Sequence, residues 1–125
     1  MNTVKQQSKK KRKGHRDYSH YLYHGKRYGK GTLVHAVIRD YVDKHPNVTA
    51  EKLQELFPRK EFHSPFEIVE KIKEAKAGRF FLKTDSLINT ANARVAVTNQ
   101  WGSNIDYFID FVKKNMHVKI QRARA

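Results

Sequence analysis

The 125-residue sequence predicts an α+β fold: a small helical cluster with a two- or three-stranded antiparallel sheet, preceded by a disordered basic arm. Three observations carry that expectation. Apolar residues recur at helical spacing in four separate windows. Two short runs of strand character, 79–83 and 94–98, lie between the third and fourth windows. Residues 1–16 hold almost nothing apolar around the block Lys9-Lys10-Lys11-Arg12-Lys13, so nothing offsets the mutual repulsion of their charges.

Residues 17–31 follow as an aromatic and basic extended segment. Tyr18, Tyr21, Leu22, Tyr23 and Tyr28 alternate there with His20, His24, Lys26, Arg27 and Lys30, and His24-Gly25 reads as the centre of a tight hairpin turn. Thr32 can cap a first helix reaching about His45, with Val34, Val37, Ile38 and Tyr41 on its buried face. Pro46 ends it, because proline lacks the next amide and clashes with the preceding turn. Thr49 caps a short second helix with Leu53, Leu56 and Phe57 inward and Val48 folded back on Leu53. Pro58 stops that one.

Ser64-Pro65-Phe66-Glu67 combines an N-cap serine, a proline at the first helical position and a capping-box glutamate. It predicts a third helix with Ile68, Val69 and Ile72 inward, giving way near Gly78. Strands are expected at 79–83 and 94–98, with a polar connection over 84–93. Ser103 caps a fourth helix on Ile105, Phe108, Ile109 and Val112, and Lys113 and Lys114 complement the negative end of its dipole. Met116, Val118 and Ile120 alternate with His117 and Lys119 as a third short strand. A single domain would thus span 32–120, followed by a basic tail at 121–125.

Three helices and then a two-stranded hairpin is the element order of a winged helix-turn-helix. The sequence also resembles a group of small bacterial and phage proteins of unassigned function. That resemblance rests on Tyr23-His24-Gly25-Lys26-Arg27-Tyr28-Gly29-Lys30-Gly31, on Val97-Thr98-Asn99-Gln100-Trp101-Gly102, and on Asn104-Ile105-Asp106. It spans roughly residues 20–120 and implies domain limits; it carries no catalytic residue.

Composition narrows the function classes. With no cysteine, disulfides, thiolate metal sites and cysteine nucleophiles are excluded. No run of about 18 apolar residues is present to span a membrane, and no secretory signal is recognisable. The expectation is a cytoplasmic or nucleoid-associated protein, or a nuclear one in a eukaryotic host. The net charge of +14 is unevenly placed. Residues 1–30 hold ten Lys/Arg against one acid, 31–112 hold eleven against eleven, and 113–125 hold five against none. Solubility alone would be served by an even mixture.

Clustered cations at both ends point to phosphate contact, with affinity that is sequence-blind and falls with salt. The candidate nucleic-acid-binding residues are Lys9, Lys10, Lys11, Arg12, Lys13 and Arg16 in the arm, and Lys26, Arg27 and Lys30 in the aromatic segment. Lys113, Lys114, Lys119, Arg122 and Arg124 complete the set at the C-terminal end. Tyrosines between cations also suit stacking on single-stranded bases, although alternate rings of a hairpin must face inward. The competing expectation for the arm is a solvated tail. Gly29-Lys30-Gly31-Thr32 is not a phosphate-binding P-loop: the glycine spacing is short, and Gly31 separates lysine from threonine.

The predicted third helix balances Glu67, Glu70 and Glu74 against Lys71, Lys73 and Lys76, a face ill suited to enter a groove lined with phosphate. Arg79, Lys83, Asn89, Asn92 and Arg94 could act as a wing. His20 and His24 lack the acidic or thiol neighbours of a zinc site. Asp106 and Asp110, like Asp40 and Asp43, are explained by a solvated helix surface, and Trp101 by core packing. The sequence therefore reads as a non-enzymatic DNA- or RNA-binding protein of low sequence specificity, needing no metal or cofactor. The alternative is a protein-interaction module, an accessory or inhibitor of a larger nucleic-acid-processing machine.

Overall fold

His24 and Gly25 both take positive φ, 51° and 77°, the backbone that a two-residue hairpin turn requires. This turn joins β1, His20–Tyr23, to β2, Lys26–Tyr28, with Tyr21 opposite Tyr28 and Tyr23 opposite Lys26. The computed structural model describes residues 20–123. The expected arm, with Lys9 to Lys13 and Arg16, lies outside the described residues, as does Arg124.

The first long helix, α1, spans Lys30–Lys44 and buries Leu33, Val34, Val37, Ile38 and Val42. It begins two residues before the expected cap. Gly29 is the N-cap, and the Thr32 hydroxyl instead donates to the Gly29 carbonyl at 3.3 Å. Gly31 is there for space: a Cβ on it would stand 3.0 Å from the Phe81 ring. The second helix, α2, is Ala50–Leu56, and Thr49 caps it as expected by accepting the Lys52 amide at 3.1 Å. A 3₁₀ turn at Arg59–Phe62 follows Pro58.

The third helix does not form. The Ser64 hydroxyl donates to the Phe66 carbonyl at 2.6 Å and accepts the Phe66 amide, closing a tight turn rather than starting a helix. Val69–Lys71 is instead β3, followed by a 3₁₀ turn at Ile72–Glu74. Ile68 and Val69, adjacent and β-branched, are both fully buried, whereas Ile72 is 38% exposed. A strand turns such neighbours to opposite faces, and the ladder to Val95–Val97 together with the Thr98 amide on the Ile68 carbonyl holds the backbone extended.

The strand expected at 79–83 reduces to a single bridge between Phe80 and Thr98. The polar connection holds a strand that its composition hid, β4 at Ile88–Asn89. Arg94–Val97 forms β5 as expected, and the sheet order is β3-β5-β4, antiparallel throughout. The last helix, α3, is Ile105–Met116, with Ile105, Phe108 and Val112 buried. Its cap is Asn104 rather than Ser103, and the Asn104 side chain bonds the Gly102 amide and the Phe62 carbonyl instead of the helix.

His117, at φ 57°, breaks α3. Val118 and Ile120 turn inward and Lys119 outward, as their alternation predicts, but ladder pairing starts only at β6, Gln121–Ala123. There the chain meets its own beginning: β6 pairs antiparallel with β1, giving a second sheet in the order β2-β1-β6. The segments read separately as 17–31 and 121–125 therefore share one sheet through their described residues. Tyr21, Tyr23 and Ile120 sit in the same buried cluster as α1, α3 and the strand β5. At its centre the rings of Phe62 and Phe108 lie 5.5 Å apart. The fold is α+β, with three α-helices and two three-stranded sheets among the described residues.

Candidate nucleic-acid interface

The last turns of α1 and α3 and the tip of the β1–β2 hairpin meet around one groove of about 290 Å³. Val37, Tyr41, Met116 and Val118 supply its apolar walls, and Asp40, Lys44, His45 and Asn115 its polar edges. Tyr23 closes the floor by donating its hydroxyl to Asp40 Oδ2 at 2.6 Å. His24, at the hairpin tip, lies 3.5 Å from the same oxygen.

Four of the sequence-predicted cations belong to this end. Lys26 is paired in register with Tyr23, and Lys113 and Lys114 occupy the last turn of α3. Lys119 follows Val118 on the stretch that leads into β6. All four are exposed, and among the described residues none has a salt-bridge partner. Two helix C-termini also converge here, and their free carbonyls favour cations. Lys44 adds a cation from α1 and His45 an exposed ring beside it, and sequence reasoning missed them. Their only sequence signal was position, one turn past Asp40 and directly before Pro46.

The other predicted residues go elsewhere. Lys30 opens α1, about 20 Å from Lys44 by helical rise. Arg27 lies on β2 opposite Leu22, outside the groove. Arg122 is engaged structurally: its guanidinium bonds Asp106 at 3.0 Å and stands 5.5 Å over the Tyr21 ring.

The wing expectation fails at Asn92. Its side-chain oxygen accepts the Ala50 amide at 2.9 Å and its nitrogen donates to Glu51 at 2.8 Å, so it tethers the loop to the start of α2. Arg94 bonds Asn89 at 3.2 Å, and Arg79 lies 6.0 Å over the Phe66 ring. Glu51 is further held by Lys71 at 2.6 Å, which with Asn92 depresses its carboxyl pKa to about 2. These charges fasten α2 to the β3-β5-β4 sheet. Glu70, on β3, receives Gln54 at 3.1 Å; burial first, then Glu74 and Glu67, raise its pKa.

No protein-family model, curated protein or solved structure matches this chain.

Histidine and acid geometry adds little metal chemistry. Among the described residues, no three His, Asp or Glu side chains gather as a metal site. His35 bonds the Ser86 carbonyl at 2.7 Å, and burial lowers its pKa. Trp101 packs on Phe62 and Phe108, as a core anchor should, and its indole nitrogen donates to the Thr98 carbonyl at 3.2 Å. No helix among the described residues is long and apolar enough to cross a membrane.

Proposed function

We propose that this protein binds nucleic acid, largely by electrostatic contact with phosphates and with little sequence specificity. The observation that carries the reading is the separation of charge. Fifteen of the 26 Lys/Arg fall in 1–30 and 113–125 against a single acid, while 31–112 is balanced. Multivalent cationic ends release condensed counterions when they meet a polyphosphate, a driving force indifferent to base sequence. Lys26, Lys113 and Lys119, exposed and without a salt-bridge partner among the described residues, support the same reading.

A winged-helix mode of recognition is not part of this proposal. The segment that would be its recognition helix is β3 and a 3₁₀ turn, and it carries Glu67, Glu70 and Glu74, which phosphate would repel.

Fluorescence anisotropy with duplex and single-stranded probes at several salt concentrations tests the reading. Affinity should fall steeply and log-linearly with salt, and deletion of residues 1–16 should weaken every probe alike. Affinity indifferent to salt, or no binding to either nucleic acid at low ionic strength, overturns it.

A further inference from the structure

The groove between α1 and α3 has two characters that a bare phosphate site would not combine. Its rim is cationic, with Lys44 lining the edge and Lys26, Lys113 and Lys119 on the elements beside it, whereas Lys114 faces a separate hollow with Glu55, Glu61 and Asp110. Its interior is apolar, with one carboxylate, Asp40. A phosphate drawn to the rim would be repelled by that carboxylate if it entered. An unpaired base has the opposite preference: a flat apolar body, and an edge with N–H donors.

We infer that the groove takes a single unpaired base of a single-stranded nucleic acid, with the flanking phosphates on the lysine rim. The inference rests on the nucleic-acid reading above and deepens it from a charged patch to a defined site. Three details carry it.

The first is a built stacking platform. His45 stacks on Tyr41 with ring centroids 4.0 Å apart and an interplanar angle of 17°. Its Nδ1 lies 2.9 Å from the Tyr41 carbonyl, and since a carbonyl can only accept, this nitrogen carries the hydrogen. The imidazole is thus fixed against rotation while the residue as a whole stays exposed, so its outer face is ready for a second ring.

The second is the orientation of Asp40. Tyr23 and His24 both approach Oδ2. The other oxygen, Oδ1, has no hydrogen-bond partner among the described residues and can accept from a base edge, as a carboxylate accepts the cytosine 4-amino group. The third is size. About 290 Å³ is at the bottom of the range for small-molecule pockets, enough for one ring system and far too little for a duplex. A paired base could reach it only by being flipped from its stack.

The test compares binding of the full chain to four 12-mers at one moderate salt concentration: oligo(dC), oligo(rC), a backbone of the same length made wholly of abasic sites, and a duplex. Base-bearing single strands, with either sugar, should bind about tenfold more tightly than the abasic strand, the size of one stacking interaction. His45→Ala, at an exposed position, should remove most of that margin, weakening the base-bearing strands far more than the abasic one. Asp40→Asn should narrow the preference for oligo(dC) over the abasic strand severalfold. Equal affinity for the abasic and base-bearing strands overturns the base site while leaving the electrostatic reading intact. Failure to bind any of the four overturns both.

Discussion

The phenolic hydroxyl of Tyr23 donates to Asp40 Oδ2 at 2.6 Å and so fastens the β1–β2 hairpin to α1 across seventeen residues of chain. Burial, reinforced by the neighbouring carboxylate of Asp40, raises the Tyr23 pKa well above the ordinary 10.0. The folded protein therefore holds this proton after the unfolded chain has released it. The stabilisation is fully present below pH 10.0 and is lost as pH rises from there toward the folded value. Denaturant midpoints should fall above about pH 10 in the native protein and decline less in Tyr23→Phe. That variant should be less stable at neutral pH by about 1–2 kcal/mol, the worth of a hydrogen bond to a charged acceptor at a part-buried site.

Glu51 sets the acid side. Lys71, Asn92 and the Glu51 backbone amide hold its pKa at about 2, against an ordinary 4.5. Its contribution is present above pH 4.5 and is lost as pH falls toward 2. NMR titration of the Glu51 side chain should give a midpoint near the lower figure, and in Lys71→Met the midpoint should climb back toward the ordinary one. A titration curve unmoved by that substitution would show that Lys71 is not the main cause.

Much of this architecture is legible in local signals. The His24-Gly25 turn, the Thr49 cap and the apolar stripes of α1 and α3 depend on residues within a turn or two of one another, and each formed where its residues placed it. The Ser64 signal misled because a serine hydroxyl two residues before an amide closes an isolated turn as readily as it opens a helix. What decided the outcome was distant: Val95 to Val97 offer the Val69–Lys71 backbone a ladder, and no local pattern announces it. The same reason hid β4, whose two residues are too few to show a period. In the candidate site, counting charge by segment concealed Lys44, since Asp40 and Asp43 cancel it in the sum although only Asp40 lines the groove.

The lysines around the groove should differ from those that fasten the fold. Lys113 and Lys119 have no salt-bridge partner among the described residues, and Lys114 shares a hollow with Glu55, Glu61 and Asp110 without pairing with any of them, whereas Lys52 lies 3.7 Å from Glu55. The triple change Lys113→Ala, Lys114→Ala and Lys119→Ala should lower the magnitude of the log K against log salt slope by about two to three, near one for each phosphate no longer neutralised. Lys52→Ala should leave the slope unchanged. All three lysines are exposed, so melting temperature should fall by no more than a few degrees, the share lost at the negative end of the α3 dipole. An unchanged slope in the triple variant would move phosphate binding away from this end of the molecule.

His117 stores backbone strain that can be released. It sits at φ 57° and ψ 32°, where a side chain is disfavoured, because the chain must leave α3 sharply for Val118 and Ile120 to reach the core. Its own amide bonds the Val112 carbonyl, and the Val118 amide reaches the same oxygen at 3.2 Å, so the turn is fully hydrogen-bonded and the strain is steric. Glycine adopts this conformation without penalty, although it also widens the unfolded ensemble. His117→Gly should therefore gain about 0.5–1 kcal/mol and raise the melting temperature by a few degrees. His117→Val should lose stability, because a β-branched side chain is the worst fit to a left-handed backbone. If calorimetry orders the three proteins any other way, some interaction of the imidazole outweighs the backbone preference.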